Sequence, residues 1–179
     1  MHPRLTELLD YLDDTRASVL GAASMVPRER WGVRPAPDRW SVAEICWHLQ
    51  RVESGVAKLI RMRTTEARAA GHPEEPDDSP LLGTRDRFGI VDRTRRLEAP
   101  ARVAPPESPP AEDAQRLLEE SRELLRVAIT EADGLALGLI MHPHPVVGEI
   151  NLYDWILFVG LHEERHLLQI GEVAAASTN

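Results

Sequence analysis

Apolar residues recur at helical spacing in four separated stretches of the chain. In the first, Leu5, Leu8, Leu9, Leu12, Val19, Leu20 and Ala23 share a face with charges between them, and a polar, proline-marked run over residues 27–37 follows. The second begins at Ser41, placed to cap a helix, with Glu44 three residues on and able to reach back to close a capping box. Val42, Ile45, Leu49, Val52, Val56, Leu59 and Ile60 form its stripe. The third follows Ser108-Pro109-Pro110, a capping serine with proline in the first turn, and carries Ala114, Leu117, Leu118, Leu124, Leu125, Ala128 and Ile129 before stopping near Gly134. The fourth covers residues 152–173 and runs on toward the end, with Asn151 as cap and Asp154 in the first turn. Residues 142–149, rich in proline and glycine, cannot be helical, and no strand-like alternation of useful length or internal repeat is present. Residues 70–110 dissolve into prolines, glycines and mixed charges. A connection this long is unusual in a compact domain, so partial order is expected, with Phe88, Ile90 and Val91 tacking it to the core. The pattern predicts an all-α four-helix bundle, a single domain over residues 1–179 with a long crossover between helices two and three.

Composition narrows the partners. With 21 basic and 29 acidic residues the net charge is −8, which argues against nucleic acid or an anionic membrane and favours a small-molecule substrate. Cys46 is the single cysteine, so no intramolecular disulfide and no cysteine-rich zinc site can form. No basic and apolar leader opens the chain, and no apolar run approaches the roughly 18 residues of a membrane span. A cytoplasmic location is the expectation. Arg85, Arg87, Arg93, Arg95 and Arg96 cluster in the connection; they are read as solvated charges paired with carboxylates, with anion binding as the alternative.

The candidate chemistry lies in three histidines. His162 and His166 are four residues apart, hence on one helix face, and share it with Trp155, Val159 and Val173. His48 falls at the edge of the second helix's apolar stripe. A lone buried histidine is ordinarily a hydrogen-bonded core residue. Three on inward-facing stripes, two at ligand spacing, point to a metal with an open coordination position, the arrangement of catalytic rather than structural sites. Such an ion lowers the pKa of a water it binds and presents a nucleophile, with Glu163 or Glu53 as candidate proton acceptor. Gln169 is placed to orient His166. Trp40, Trp47 and Trp155 are core or pocket residues, and His142 and His144, on the loop before the last helix, are read as turn residues, with rimming a pocket as the alternative.

His162-Glu163-Glu164-Arg165-His166 also satisfies the letters of HExxH, in which the glutamate serves a metalloprotease as general base. Only 13 residues follow His166, with Glu172 the sole downstream carboxylate, and no substrate-binding strand precedes it. That reading is the weaker one.

Trp40-Ser41-Val42-Ala43-Glu44-Ile45-Cys46-Trp47-His48-Leu49 resembles the W-S-x-x-E-[hydrophobic]-x-x-H-L signature of the DinB-like (YfiT-like) proteins, and His162 to Gln169 resembles their closing H-x-x-x-H-x-x-Q. The order of the intervening segments agrees over nearly the whole chain. The resemblance implies a divalent metal, zinc, nickel or iron, held by His48, His162 and His166 in a bundle that often forms homodimers. Similar proteins include S-transferases using low-molecular-weight thiols such as bacillithiol or mycothiol, a mycothiol-dependent maleylpyruvate isomerase, and proteins described as metal-dependent hydrolases. A thiol cosubstrate is thus implied, although no residue of this chain is assignable as a thiol-recognition signature. A non-catalytic metal- or ligand-binding module is the alternative.

Overall fold

The computed structural model describes residues 1–84, 86–94 and 97–177. Four helices carry the fold: α1 (Pro3–Ser24), α2 (Val42–Ala69), α3 (Ala114–Glu131) and α4 (Leu152–Ser177). The main pairings are α2 on α3, α1 on α4 and α2 on α4, an all-α bundle in which each helix buries its apolar stripe against facing helices. No helix among the described residues is long and apolar enough to cross a membrane.

The start of α2 follows the capping logic of its sequence. Ser41 Oγ accepts the Glu44 amide at 3.2 Å, and the Glu44 carboxylate accepts the Ser41 amide at 2.8 Å. Arg34 clasps the same carboxylate. The α3 start differs from expectation. The helix begins at Ala114 with Asp113 before it and no side-chain cap. Pro110 disfavours helical backbone at Pro109, and Ser108 adopts φ 51°, so the chain turns once more before the helix can start.

A second departure is a small antiparallel hairpin, β1 (Met141–His144) and β2 (Gly148–Asn151), with His144 opposite Gly148. Four-residue strands are too short to show a period, and Pro143 hides the first of them. Gly148 turns the chain at φ 81°, and the His144 ring nitrogen Nδ1 accepts the Val146 and Val147 amides across the loop. Asn151 then caps α4 by accepting the Asp154 amide at 3.0 Å. The long connection is tied down as expected: Ile90 is buried, and Phe88 and Val91 pack against the core.

The core is two apolar clusters. One contains Leu12, Val56, Leu125 and Val159; the other contains Val19, Leu49, Leu118 and Ile170. Between them on every helix stands a buried charge: Arg16 on α1, Glu53 on α2, Arg122 on α3 and Glu163 on α4. The bundle is therefore divided by a polar layer, and the histidines lie beside it on α2 and α4.

Candidate functional site

The capping box fixes where α2 begins, and His48 follows Glu44 by one turn. On α4, His162 and His166 occupy successive turns of one face. The helix pairing brings all three rings together. His48 Nε2 and His162 Nε2 are 3.0 Å apart, and so are His162 Nε2 and His166 Nε2. Among the described residues these three form a compact group of potential metal ligands, their ligand atoms lying within 4.8 Å of one another.

The outer ring nitrogens decide what the inner ones offer. The Val103 carbonyl accepts a hydrogen bond from His48 Nδ1 at 2.7 Å, and Gln169 Oε1 accepts one from His166 Nδ1 at 2.5 Å. Each Nδ1 then carries the proton, leaving both Nε2 atoms as lone pairs aimed inward. His162 Nε2 stands between them and a single N–H cannot serve both. Three convergent lone pairs suit a cation. Metal–nitrogen distances of about 2.0–2.1 Å place two ligand nitrogens about 2.9 Å apart at a right angle and about 3.4 Å apart in a tetrahedron, which brackets the observed spacing.

Burial favours the neutral, ligating form. It pushes His162 and His166 well below the ordinary imidazole range, with the neighbouring histidines adding to the shift; the Gln169 bond opposes it at His166. His48 is lowered by burial too, against the pull of the Val103 carbonyl. The rings are also held by stacking: Trp40 lies 6.0 Å from His166 at 11° between planes, and Phe158 lies 5.3 Å from His162 at 14°.

The triad opens into a cleft of about 1160 Å³, large enough for a substantial small molecule. Trp40 and Trp155 line it, whereas Trp47 does not. His142 and His144 both reach it, the alternative to the turn role preferred from the sequence; His144 is buried beside Trp155 and Phe158. Burial, then the charge of Arg102, lowers the His144 ring to about 4.

Glu53 and Glu163 do not join the histidines. Neither lines the cleft. Glu163 accepts from Thr15 Oγ1 at 2.7 Å, Arg16 Nε at 2.6 Å and Arg122 Nη2 at 3.0 Å. Glu53 accepts from Arg16 Nη2 at 2.7 Å, from Arg122 Nε at 2.6 Å and from Ser121 Oγ. The two arginines also donate to the Leu118 and Leu12 carbonyls. Burial alone would lower the Arg16 guanidinium, and the charges of Glu163 and Glu53 more than offset it. With both Glu163 oxygens taken by Thr15, Arg16 and Arg122 and the residue absent from the cleft wall, the HExxH letters lack the geometry of a protease base.

The arginine cluster of the connection divides. Arg87 pairs with Asp154 and Arg93 with Glu172 at 2.6 Å, while Arg85, Arg95 and Arg96 lie outside the described residues. Cys46 is fully buried, and burial pushes its thiol up to about 12, which leaves it inert as a nucleophile.

Sequence reasoning missed the charged layer, although Arg16 and Arg122 each interrupt an apolar stripe and so advertise a buried partner. It also missed Phe158, which looks like any core aromatic, and the Val103 carbonyl, which no side-chain pattern announces.

Comparison with known proteins gives the family. The chain is 28% identical over 146 residues to the uncharacterized protein YuaE of Bacillus subtilis (strain 168), covering 81% of this chain and 83% of YuaE. No solved structure matches it at a significant level. The family model of the DinB superfamily matches residues 5–170. With that match over most of its length, the chain belongs to the DinB superfamily.

Proposed function

We propose that His48, His162 and His166 hold a divalent metal ion, zinc, nickel or iron, and that the protein is a metal-dependent enzyme acting on a small molecule in the cleft, an S-transferase using a low-molecular-weight thiol or a hydrolase. The observation that carries this is the convergence of three imidazole nitrogens, two with their tautomers set from outside, at the head of a large cleft. A divalent ion there supplies Lewis acidity that lowers the pKa of a thiol or a water.

The chain's own residues do the rest. Val103 and Gln169 keep the Nδ1 protons of His48 and His166 outward, and Trp40 and Phe158 restrict the rings. Glu53 and Glu163 stay locked between Arg16 and Arg122, so they position the helices that carry the ligands. Since Cys46 is sealed in the core, a reacting thiol must be a cosubstrate.

Metal analysis of untagged protein tests the reading, with His48→Ala, His162→Ala and His166→Ala variants beside it. Stoichiometric metal in the native protein and its loss from the variants is expected; undiminished binding in all three would overturn the site. Conjugation of bacillithiol or mycothiol to monochlorobimane, dependent on metal, identifies an S-transferase. Bound metal without turnover on thiol or ester substrates would instead identify a binding module. The resemblance to homodimeric relatives extends the proposal to a homodimer, which light scattering during size-exclusion chromatography would read directly.

A further inference from the structure

The cleft carries a charge opposite to that of the protein. The chain has a net charge of −8, yet Arg39, Arg51, Lys58, Arg93, Arg102 and Arg165 line the cavity, against three carboxylates, Asp38, Glu98 and Glu172. Half of these cations are engaged. Arg39 and Arg93 share Glu172 at 2.9 and 2.6 Å, and Arg165 donates to the Ile90 and Asp92 carbonyls at 2.9 and 2.6 Å. The side chains of Arg51, Lys58 and Arg102 make no ion pair or hydrogen bond with any described residue, although carboxylates outnumber cations in the chain.

Their placement is ordered. At about 100° per residue, Arg51 and Lys58 fall about 60° and 80° to the same side of His48 on α2. At about 1.5 Å rise per residue they stand about 4.5 and 15 Å along the helix from it. Gly55, one turn beyond Arg51, lines the cleft and has no neighbouring atom within 4 Å of where a Cβ would be, so the helix surface between the two cations is bare. Arg102 adjoins Val103, whose carbonyl holds His48, and its charge is felt at His144.

We propose that this flank of α2, with Arg102, is a subsite for the anionic end of a small molecule that carries two negative charges as carboxylates or a phosphate. Its reacting end lies at the histidines, and that part rests on the function proposed above. Unpaired cations over bare helix surface bind such a group through hydrogen-bonded charge pairs, and a ligand reaching from His48 to Lys58 has the length of a short peptide or an extended thiol.

Calorimetric titration of the metal-loaded full chain tests this with four probes: succinate, glycerol phosphate, mercaptosuccinate and thioglycerol. Succinate or glycerol phosphate is expected to bind, and which of them binds tighter separates carboxylate from phosphate. The Arg51→Gln, Lys58→Gln, Arg102→Gln triple variant is expected to lose about tenfold or more in that affinity with metal content and Tm unchanged, and raising ionic strength from about 0.01 to about 0.15 M should weaken native binding similarly. Failure of both dianions to bind, or equal binding by the triple variant, overturns the subsite. The two thiols keep the readings apart. Dianion binding lost in the variant, with thioglycerol never reaching the metal, upholds the subsite and removes the thiol reaction. Thioglycerol binding without either dianion does the reverse.

Discussion

Glu163→Gln separates two roles that the sequence leaves open for this residue, proton acceptor and structural clamp. The native layer balances two arginines with two glutamates, all buried. Removing one negative charge leaves Glu53 as the one buried carboxylate for Arg16 and Arg122, with the half-exposed Asp13, 3.8 Å from Arg122, as the remaining partner, and so a poorly compensated positive charge between the two apolar clusters. The amide retains an acceptor for Thr15 or for one guanidinium, yet the loss of a buried ionic partner costs about 3–5 kcal/mol. For a chain of this size each kcal/mol lowers Tm by about 2–4 °C, so a fall of roughly 6–20 °C is expected. Thermal unfolding followed by circular dichroism measures it, and metal content per folded chain should stay at the native level because Glu163 touches none of the three histidines. A double-mutant cycle with Arg122→Met adds a second check. The two changes together should cost clearly less than their sum, since each removes the charge that the other leaves stranded. Native stability in Glu163→Gln combined with abolished turnover would refute the clamp and restore the proton-acceptor role.

Three further outcomes follow from the same coordinates. A Cβ built on Gly160 falls 2.3 Å from a ring carbon of Tyr11, a ring held by its hydroxyl's bond to Glu164; Gly160→Ala is expected to destabilise by about 1–3 kcal/mol in urea titration, and an unchanged midpoint would mean that α1 and α4 separate freely there. Gln169→Leu removes the acceptor that orients His166 and should weaken metal binding by about 10–100-fold in chelator competition while leaving the helix intact. In chelator-treated protein, stability should fall as pH drops from about 6.5 toward about 4, because the unfolded chain protonates its histidines at the ordinary value while burial delays His144 to about 4 and also lowers His48, His162 and His166. Unfolding midpoints that stay flat across that window would contradict the burial of these rings.

How far the sequence reveals the site depends on which physical signal each part leaves. His48, His162 and His166 were legible because helical periodicity is a strong signal over long segments, and a polar residue on an apolar stripe is conspicuous. Ser41 and Glu44 likewise specified the start of α2, which sets the rotation of His48 toward the bundle interior. Arg16 and Arg122 broke their stripes in the same way, but a stripe does not say which partner across the bundle will satisfy a charge. Glu163 shows the cost of that gap. Adjacent to a ligand and embedded in HExxH, it read as chemistry, and only the packing of α1 and α3 against α4 shows its oxygens occupied by Thr15, Arg16 and Arg122. Val103 and the β1–β2 hairpin were out of reach for another reason. One acts through a backbone carbonyl in an irregular segment, and the other is too short for any period to register.

The division of labour between regular and irregular segments bears on what this bundle can vary. The ligands sit on α2 and α4, and the charge layer ties all four helices together beside them, holding the two ligand-bearing helices in place without touching the histidines. The Gln169 and Val103 contacts then fix ring direction from outside. Facing these rigid parts, the cleft is completed by residues 97–104 of the connection and by the hairpin, segments with little of the core in them. Substitutions there that spare the Val103 carbonyl and the His144 ring are expected to alter which molecule is admitted without moving the histidines, since those two groups are the points at which these segments reach the ligands or the ring stacked on them. The cations Arg51 and Lys58 group with this wall although they stand on α2, because both line the cleft and are exposed. Metal-site geometry and ligand choice are therefore separable in this fold, and a variant that changes one while sparing the other is the expected result of substitution in the cleft.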